Sequence, residues 1–128
     1  MKAILSIKPE FVSKIISGEK QYEFRKKIFK KDIESIIIYS TKPVGCFVGE
    51  FKFNSILSGD MEHIWSRTYS KAGISKEFFD EYFKNTETAY AISIDELLIY
   101  DNPIEPCNII PGFTPPQSYC YIQSCPLN

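Results

Sequence analysis

Short β-prone runs occur both before and after a pair of helical segments, and this order restricts the fold more than any other feature of the sequence. Ala3–Ile7 and Ile33–Ser40 precede the helical region that starts near Ser58, whereas Ala89–Tyr100 and Ser118–Ile122 follow it. A doubly wound sheet needs regular alternation of strands and helices, which is missing here. The order therefore predicts a small α+β domain built on a curled, mostly antiparallel sheet or β-barrel, with helices covering its ends.

The length limits the number of domains. A chain of 128 residues is large enough for one core but too small for a catalytic domain plus a separate binding domain. We therefore predict a single domain over residues 1–128. No stretch approaches the roughly 20 apolar residues of a membrane span, and the N-terminus lacks the apolar run of a signal peptide. We expect a soluble, cytoplasmic protein with no membrane partner.

The first helix is predicted from Pro9 to about Ser17. Proline suits the first position of a helix, and Gly18 suits the position just after its end. The apolar positions share one face at helical spacing; they are Phe11, Val12, Ile15 and Ile16.

A hairpin is predicted next, from Ile33–Ser40 and Val44–Phe53 joined by the turn residues Ser40–Pro43. The first strand is continuously apolar at its centre and should be largely buried. Alternating phenylalanines in the second strand predict one shared core face; they are Phe47, Phe51 and Phe53.

Two short helices and an irregular tail complete the pattern. Asp60 can cap a helix that carries Ile64 and Trp65, and Ser75 can cap a second helix over Lys76–Lys84. In the second helix four aromatic residues should point largely inward; they are Phe78, Phe79, Tyr82 and Phe83. The stretch from Pro103 to Pro116 should be irregular, and three apolar residues should order it against the body; they are Ile109, Ile110 and Phe113.

Charge is strongly polarised along the chain. Residues 1–31 hold nine Lys/Arg and three Asp/Glu, a net charge of +6, and the remaining residues have a net charge of -7. Within Gly18–Arg25 a lysine, a carboxylate and an arginine lie directly ahead of the basic run Lys26–Lys31. This cluster predicts a site for an anionic, polar ligand. The alternative, which the sequence leaves open, is that these charges pair with one another and the lysines cover a loop.

Strand geometry sets a condition on this cluster. In an extended strand Glu23 and Arg25 point to one face and Lys20 to the other, so Lys20 can approach Glu23 only if the chain is not yet a strand at Lys20. Arg25 can offer a planar fork to a phosphate or a base edge, and Glu23 can accept from an amine or hold Arg25. If it is desolvated beside Arg25, Lys20 would have a lowered pKa and could act as a base or nucleophile; otherwise it is a phosphate clamp.

Gly18, Lys20, Glu23 and Arg25 match the GxKxxExR pattern of the ASCH domain, a branch of the PUA-like superfamily. The chain resembles that family over residues 1–100, and residues 101–128 look like a proline-rich C-terminal extension. The resemblance implies a PUA-like barrel with a cleft beside the first helix, lined by the motif, and RNA or a nucleotide-like ligand as the partner. Gln117, Ser118 and Tyr119 are candidates to close this cleft from the C-terminal side.

Two classes of function follow from the resemblance. The favoured one is an RNA- or nucleotide-binding module with a role in translation or transcription regulation. Its predicted ligand-binding residues are Lys20, Glu23, Arg25, Lys26, Lys27, Ser40, Thr41 and Lys42, the last three at a hairpin turn near the cleft mouth. The alternative is a small hydrolase of a modified nucleoside or of RNA phosphodiesters, with Lys20 and Glu23 as acid–base groups. Amidohydrolases of the family have threonine where this chain has Glu23, which favours the binding module.

The cysteine pattern indicates no metal site. The four cysteines contain no CxxC pair, and His63 is the single histidine. We therefore expect free thiols, no metal and no cofactor. The cysteines are Cys46, Cys107, Cys120 and Cys125.

Overall fold

The computed structural model describes residues 1–123, which contain eight strands and four α-helices. The strands are β1 (Lys2–Ile7), β2 (Tyr22–Arg25), β3 (Ser35–Ser40), β4 (Cys46–Lys52), β5 (Ile56–Gly59), β6 (Ala89–Ser93), β7 (Glu96–Ile104) and β8 (Tyr119–Ile122). The helices are α1 (Pro9–Ser17), α2 (Met61–Thr68), α3 (Lys76–Phe83) and α4 (Pro106–Ile109), with one 3₁₀ turn at Tyr69–Lys71.

The strands form two sheets. The larger sheet has the order β7-β4-β3-β1-β8, and the smaller has the order β2-β6-β5. Neighbouring strands are antiparallel except β1 and β3, which are parallel. The α+β class is confirmed, and the sheets are mostly antiparallel. The predicted closed barrel is not confirmed, because these two sheets are not closed into one.

The change from one sheet to the other occurs at Ile94 and Asp95, inside the β-prone run Ala89–Tyr100. The Asp95 backbone N–H donates to the carbonyl of Lys52 at 3.0 Å, and Ser93 Oγ donates to the Asp95 carboxylate at 2.7 Å. These bonds anchor a bend, so β6 continues the smaller sheet and β7 begins the larger one. The predicted strand character of Ala89–Tyr100 is therefore confirmed, and the structure divides the run between two strands.

Helix α1 forms as predicted, including its end. Gly18 adopts φ 86°, a left-handed conformation that favours glycine, and its N–H donates to the carbonyl of Ile15. Val12 and Ile15 are buried. Ile16, however, is 53% exposed, so it lies outside the buried face to which the spacing assigned it.

Strand β3 lies at the centre of the larger sheet and is buried on both faces. Ile36 and Ile38 belong to a first core cluster with Leu5 of β1, whereas Ile37 and Tyr39 belong to a second cluster on the opposite face. A strand covered on both sides needs a continuous apolar run, and this is the pattern observed in the sequence.

Strand β4 contains a β-bulge that reverses its side-chain alternation. The register with its neighbours shifts between Phe47 and Gly49, and the strand therefore bends. Phe51 packs in the first core cluster, with Phe53 against it, and Phe47 packs in the second. The prediction that all three phenylalanines share one face is wrong for Phe47, because a bulge shifts the period-2 pattern by one residue.

The two predicted caps are present. Asp60 accepts a hydrogen bond from the His63 backbone N–H at 2.8 Å, and Ser75 accepts one from the Phe78 N–H at 3.1 Å. Helix α3 buries Phe79 and Phe83 against the smaller sheet. Phe78 is 41% exposed, which differs from its predicted inward position. Strand β5 was not predicted, because its four residues, three half-buried and one exposed, show no clear alternation.

The C-terminal segment covers the outer face of the larger sheet. The Phe113 ring lies 5.3 Å from the rings of both Tyr39 and Phe47, and Ile110 packs against the same cluster. The segment is more regular than predicted, since β7 runs through Pro103 and α4 follows. Proline is tolerated there because β7 is an edge strand. The predicted final strand is confirmed as β8, which pairs with β1.

None of the helices within residues 1–123 is long and apolar enough to cross a membrane.

Candidate functional site

A cleft of about 230 Å³ opens between helices α1 and α3, where β1 and β2 meet. Its apolar walls comprise Ile7, Phe11, Phe24, Ile74, Phe78 and Tyr82. Its polar lining comprises Ser6, Lys8, Lys20, Glu23, Arg25 and Gln117. All three charged residues of the motif therefore face one cavity, beside α1 as the family resemblance implied.

The chain is irregular at Lys20, which allows its side chain to reach Glu23. After the left-handed Gly18, the Lys20 N–H returns to the Lys14 carbonyl at 3.0 Å, and β2 begins only at Tyr22. Lys20 Nζ lies 3.8 Å from Glu23 Oε1. The condition set by strand geometry is thus met, since strand alternation does not govern the direction of the Lys20 side chain.

Arg25 is occupied by groups of the protein itself. Its Nε and Nη2 both donate to Glu23 Oε2, at 3.0 and 2.7 Å. Nη2 also donates to the Ser6 carbonyl at 2.7 Å, and Nη1 donates to the Ser118 carbonyl at 3.1 Å. A guanidinium has five N–H donors, so these bonds use most of its fork. Arg25 is therefore a positioning residue in this conformation, and a two-point phosphate contact would require these bonds to break.

Lys20 has a buried ammonium group with long polar contacts. Its side chain is 3% exposed, and its Nζ donates to the Ala72 carbonyl at 3.4 Å. The same atom lies 4.6 Å from the centre of the Phe24 ring and 5.7 Å from that of Phe11. Burial lowers the pKa of Lys20, and the charges of Arg25 and Lys14 lower it further, while Glu23 opposes them. Near neutral pH, Lys20 is therefore neutral more often than an exposed lysine is.

Three successive carbonyls hold the segment that carries Lys20. The carbonyls of residues 71–73 accept in turn from the Gln21 N–H at 2.8 Å, from Lys20 Nζ at 3.4 Å and from Lys14 Nζ at 3.0 Å. Gly73 has φ +69°, and a Cβ there would lie 2.5 Å from Lys20 Cβ. We call residues 71–73 the carbonyl clasp. No local sequence pattern predicted the clasp, and Gly73, a glycine between two helices, was its one available signal.

Lys26 and Lys27 lie outside the cleft walls and are exposed. Lys26 Nζ is 4.9 Å from the centre of the Tyr82 ring, so Lys26 stands at the cleft rim. Burial raises the pKa of Tyr82; the negative charge of Glu23 raises it too, while Arg25 and a hydrogen bond with the Lys26 backbone lower it. Tyr82 is therefore a neutral phenol at physiological pH, and it can stack against a base or donate a hydrogen bond.

The hairpin-turn residues are not among those that line the cleft. Ser40 is 2% exposed at the end of β3, and Lys42 is exposed at the turn. The Thr41 N–H donates to the carbonyl of Ile7, a cleft residue, at 3.0 Å. A role for Ser40, Thr41 and Lys42 in binding stays a prediction.

The C-terminal segment reaches the cleft in part as predicted. Gln117 lines it, and the Ser118 carbonyl accepts from Arg25. Tyr119 instead packs against Phe29, with ring centres 6.2 Å apart.

The part of the chain described, residues 1–123, contains no group of three or more His, Cys, Asp or Glu side chains placed to hold a metal ion. Cys46, Cys107 and Cys120 are free thiols, and Cys125 lies outside the described residues. His63 is exposed on α2.

Comparison with known proteins agrees with the family resemblance. The sequence model of the ASCH domain family matches residues 5–98. An ASCH domain-containing ribonuclease from Zymomonas mobilis is 36% identical over 129 aligned residues, which cover 95% of this chain and 84% of that protein. The crystal structure of ASCH from Zymomonas mobilis matches with a TM-score of 0.87 at 33% identity, covering 95% of this chain and 87% of that one. The chain belongs to the ASCH domain family.

Proposed function

We propose that the cleft binds single-stranded RNA and that Lys20 promotes cleavage of a phosphodiester bond there. The observation that carries this proposal is the environment of Lys20 Nζ, a buried amine that lines a cleft and has a lowered pKa. Its contacts to Ala72 and Glu23 are long, at 3.4 and 3.8 Å. A ligand that enters the cleft can therefore compete for this amine.

The chemistry requires a base and a nucleophile. Neutral Lys20 takes the proton of a ribose 2′-hydroxyl, the 2′-oxygen forms a bond to phosphorus, and the bond from phosphorus to the 5′-oxygen breaks. The proton then passes to the departing 5′-oxygen, directly or through water. Glu23, with Oε1 3.8 Å from Nζ, stabilises the ammonium that forms in between. Arg25 keeps Glu23 in this position through two hydrogen bonds.

The size and walls of the cleft suit an unpaired nucleotide. Its volume of about 230 Å³ lies below the roughly 300 Å³ at which pockets for drug-sized ligands begin, so it suits a single unpaired base rather than a duplex. Phe11, Phe78 and Tyr82 offer aromatic surface for stacking. We assign contacts with flanking phosphates to Lys26, which is exposed at the cleft rim, and to Lys27, the exposed residue that follows it in the sequence.

The relatedness to a protein named as a ribonuclease supports RNA as the ligand. It also favours cleavage over the binding module that the sequence analysis preferred. A role in RNA turnover, and through it in translation regulation, is consistent with this proposal.

A binding module without turnover is the second candidate, and one observation favours it. Glu23 Oε2 is already paired with Arg25, and Oε1 faces Lys20, so the three charges largely satisfy one another. Such a network can serve as a rigid wall for a ligand without any proton transfer.

An experiment with labelled single-stranded RNA separates the candidates. Cleavage is followed by gel electrophoresis and binding by fluorescence anisotropy, for the wild type, Lys20→Ala and the control Lys71→Ala. Lys71 is an exposed lysine close to the site. Its backbone carbonyl accepts a hydrogen bond from the Gln21 N–H, so removal of its side chain leaves this bond in place. An acylated cytidine is included as a second substrate, to test amide hydrolysis.

We expect Lys20→Ala to reduce cleavage about 100-fold or more, the size of a general-base effect, with a much smaller loss of affinity. Lys71→Ala should behave as the wild type. Binding without cleavage by the wild type would identify a binding module, and hydrolysis of the cytidine alone would identify an amidohydrolase. If the wild type binds none of these ligands, the proposal is refuted.

A further inference from the structure

Within residues 1–123, the C-terminal segment contributes one residue to the cleft lining, Gln117, whose side chain is a neutral amide. Gln117 lines the cleft, although it lies outside residues 5–98, which match the ASCH family model. We propose that Gln117 is a specificity-determining residue that reads the base of the nucleotide bound in the cleft. This inference rests on the proposed function and adds to it the source of base preference.

The backbone on both sides of Gln117 is anchored to the body of the site. Ser6 Oγ donates to the Pro116 carbonyl at 2.9 Å, and Arg25 Nη1 donates to the Ser118 carbonyl at 3.1 Å. Immediately afterwards, β8 pairs with β1 in the larger sheet. The backbone on both sides of Gln117 is therefore fixed by residues of the cleft. When a base binds, ordering at this position concerns the Gln117 side chain and not its backbone.

Among the residues that line the cleft, Gln117 is the one with an amide side chain, and its chemistry suits it best to distinguish one base from another. Aromatic walls such as Phe78 and Tyr82 stack on any base, because every base has a π-face. Glu23 Oε2 is occupied by Arg25, and Lys20 only donates while it is protonated. The Gln117 amide offers a donor and an acceptor side by side, which matches the paired groups on a base edge.

Substitution of the amide gives a signed prediction. Adenine, cytosine and guanine each carry an exocyclic amino donor, whereas uracil carries none. Gln117→Glu removes the donor and keeps acceptors, so it should lower the affinity for uracil relative to the three bases with an amino group. Gln117→Ala removes both groups and should reduce whatever preference the wild type has.

The test compares four labelled oligoribonucleotides that differ only in the base at one position within an otherwise identical single strand. Affinity is measured by anisotropy in the Lys20→Ala background, in which cleavage is suppressed, and cleavage is measured with Lys20 present. Gln117→Ala and Gln117→Glu are compared with Gln123→Ala, an exposed glutamine beyond β8 that does not line the cleft.

We expect the affinity of the wild type for the strand with the most favoured base to exceed that for the least favoured by about fivefold. This is the lower end of the range for a two-point contact, because Gln117 is exposed. Gln117→Ala should bring this ratio close to one while general RNA binding persists, and Gln123→Ala should keep it. An unchanged ratio in Gln117→Ala, or a wild type without preference, would overturn the inference and leave the proposed function standing. If the wild type binds and cleaves none of the strands, both fail.

Discussion

Gly73→Ala tests how much the close contact between the carbonyl clasp and Lys20 contributes to stability. Its effect has to be distinguished from the ordinary cost of placing alanine in a left-handed conformation. Gly73 has φ +69°, and a Cβ there would lie 2.5 Å from Lys20 Cβ and 2.8 Å from Lys20 Cα. The second atom belongs to the backbone, so a rotamer change of Lys20 cannot relieve the overlap. Either residues 71–73 move away from the motif or Lys20 moves within the cleft.

The expected loss of stability has two parts. A non-glycine residue in the left-handed region costs about 1–2 kcal/mol, and overlap in a packed region costs a further ~1–3 kcal/mol. The total is about 2–5 kcal/mol. For a domain of this size each kcal/mol lowers Tm by roughly 3–6 °C, so a decrease on the order of 10–20 °C is expected.

Gly112→Ala is the matched control. Gly112 has φ +72°, almost the same as Gly73, but no atom of residues 1–123 outside its chain neighbours lies within 4 Å of the position that a Cβ would take. This variant should therefore show the conformational cost alone, about 1–2 kcal/mol. The difference between the two variants measures the contact with Lys20.

Urea unfolding at pH 7 gives both free energies of unfolding, provided that the slopes with denaturant agree. Cleavage measured on the folded variants adds a second readout, since displacement of Lys20 should reduce activity in Gly73→Ala and not in Gly112→Ala. Equal destabilisation of the two variants would show that the close approach of Gly73 to Lys20 contributes nothing to stability. The claim that the carbonyl clasp holds Lys20 in place would then be refuted.

Three further predictions concern charge. Lys14→Met should raise the pKa of Lys20, because Lys14 lowers it, and should move the rising limb of the pH–rate profile to higher pH. Lys26→Ala with Lys27→Ala should reduce the slope of log affinity against log salt by about 1.4, which anisotropy at several salt concentrations would show or exclude. Burial raises the pKa of Glu50, but hydrogen bonds from Lys2 and Ser35 outweigh it and leave the pKa lowered. Glu50 therefore stabilises the fold above its unfolded pKa, and this contribution is lost as pH falls through its folded pKa. Glu50→Gln should thus destabilise by about 1–3 kcal/mol at pH 7 and by less at pH 3 in urea unfolding.

The two interpretations that the sequence left open for the motif are both present in the structure. Lys20, Glu23 and Arg25 form ion pairs with one another, as the structural alternative expected, and all three also line one cleft. They differ in how fully they are paired. Arg25 makes four short hydrogen bonds to protein acceptors, whereas the contacts of Lys20 are long. The site therefore combines a positioning residue with an available amine.

Local chemistry is what the sequence predicted most reliably. The start of α1 at Pro9, its end at Gly18, and the caps Asp60 and Ser75 were all predicted correctly, because each depends on residues only a few positions apart. The buried character of β3 followed from a continuous apolar run for the same reason. The family motif belongs to this class too, since it depends on residue types at short spacing.

Longer-range features were missed because no local pattern carries them. The period-2 alternation of β4 fails at a bulge whose position depends on pairing with β3 and β7. The predicted strand over Ala89–Tyr100 is divided between two sheets, where Asp95 bonds to a carbonyl 43 positions earlier, that of Lys52.

The sequence alone determined that a lysine, a glutamate and an arginine follow a glycine-terminated helix, and it placed the chain in a family. Tertiary structure decided what each of those charges can do. The carbonyl of Ala72, 52 residues away, accepts from Lys20 in a buried position that lowers the pKa of the lysine, and the Ser118 carbonyl helps to occupy Arg25. The physical reason is that desolvation and hydrogen-bond saturation depend on which distant groups surround a side chain, and only the folded chain brings those groups together.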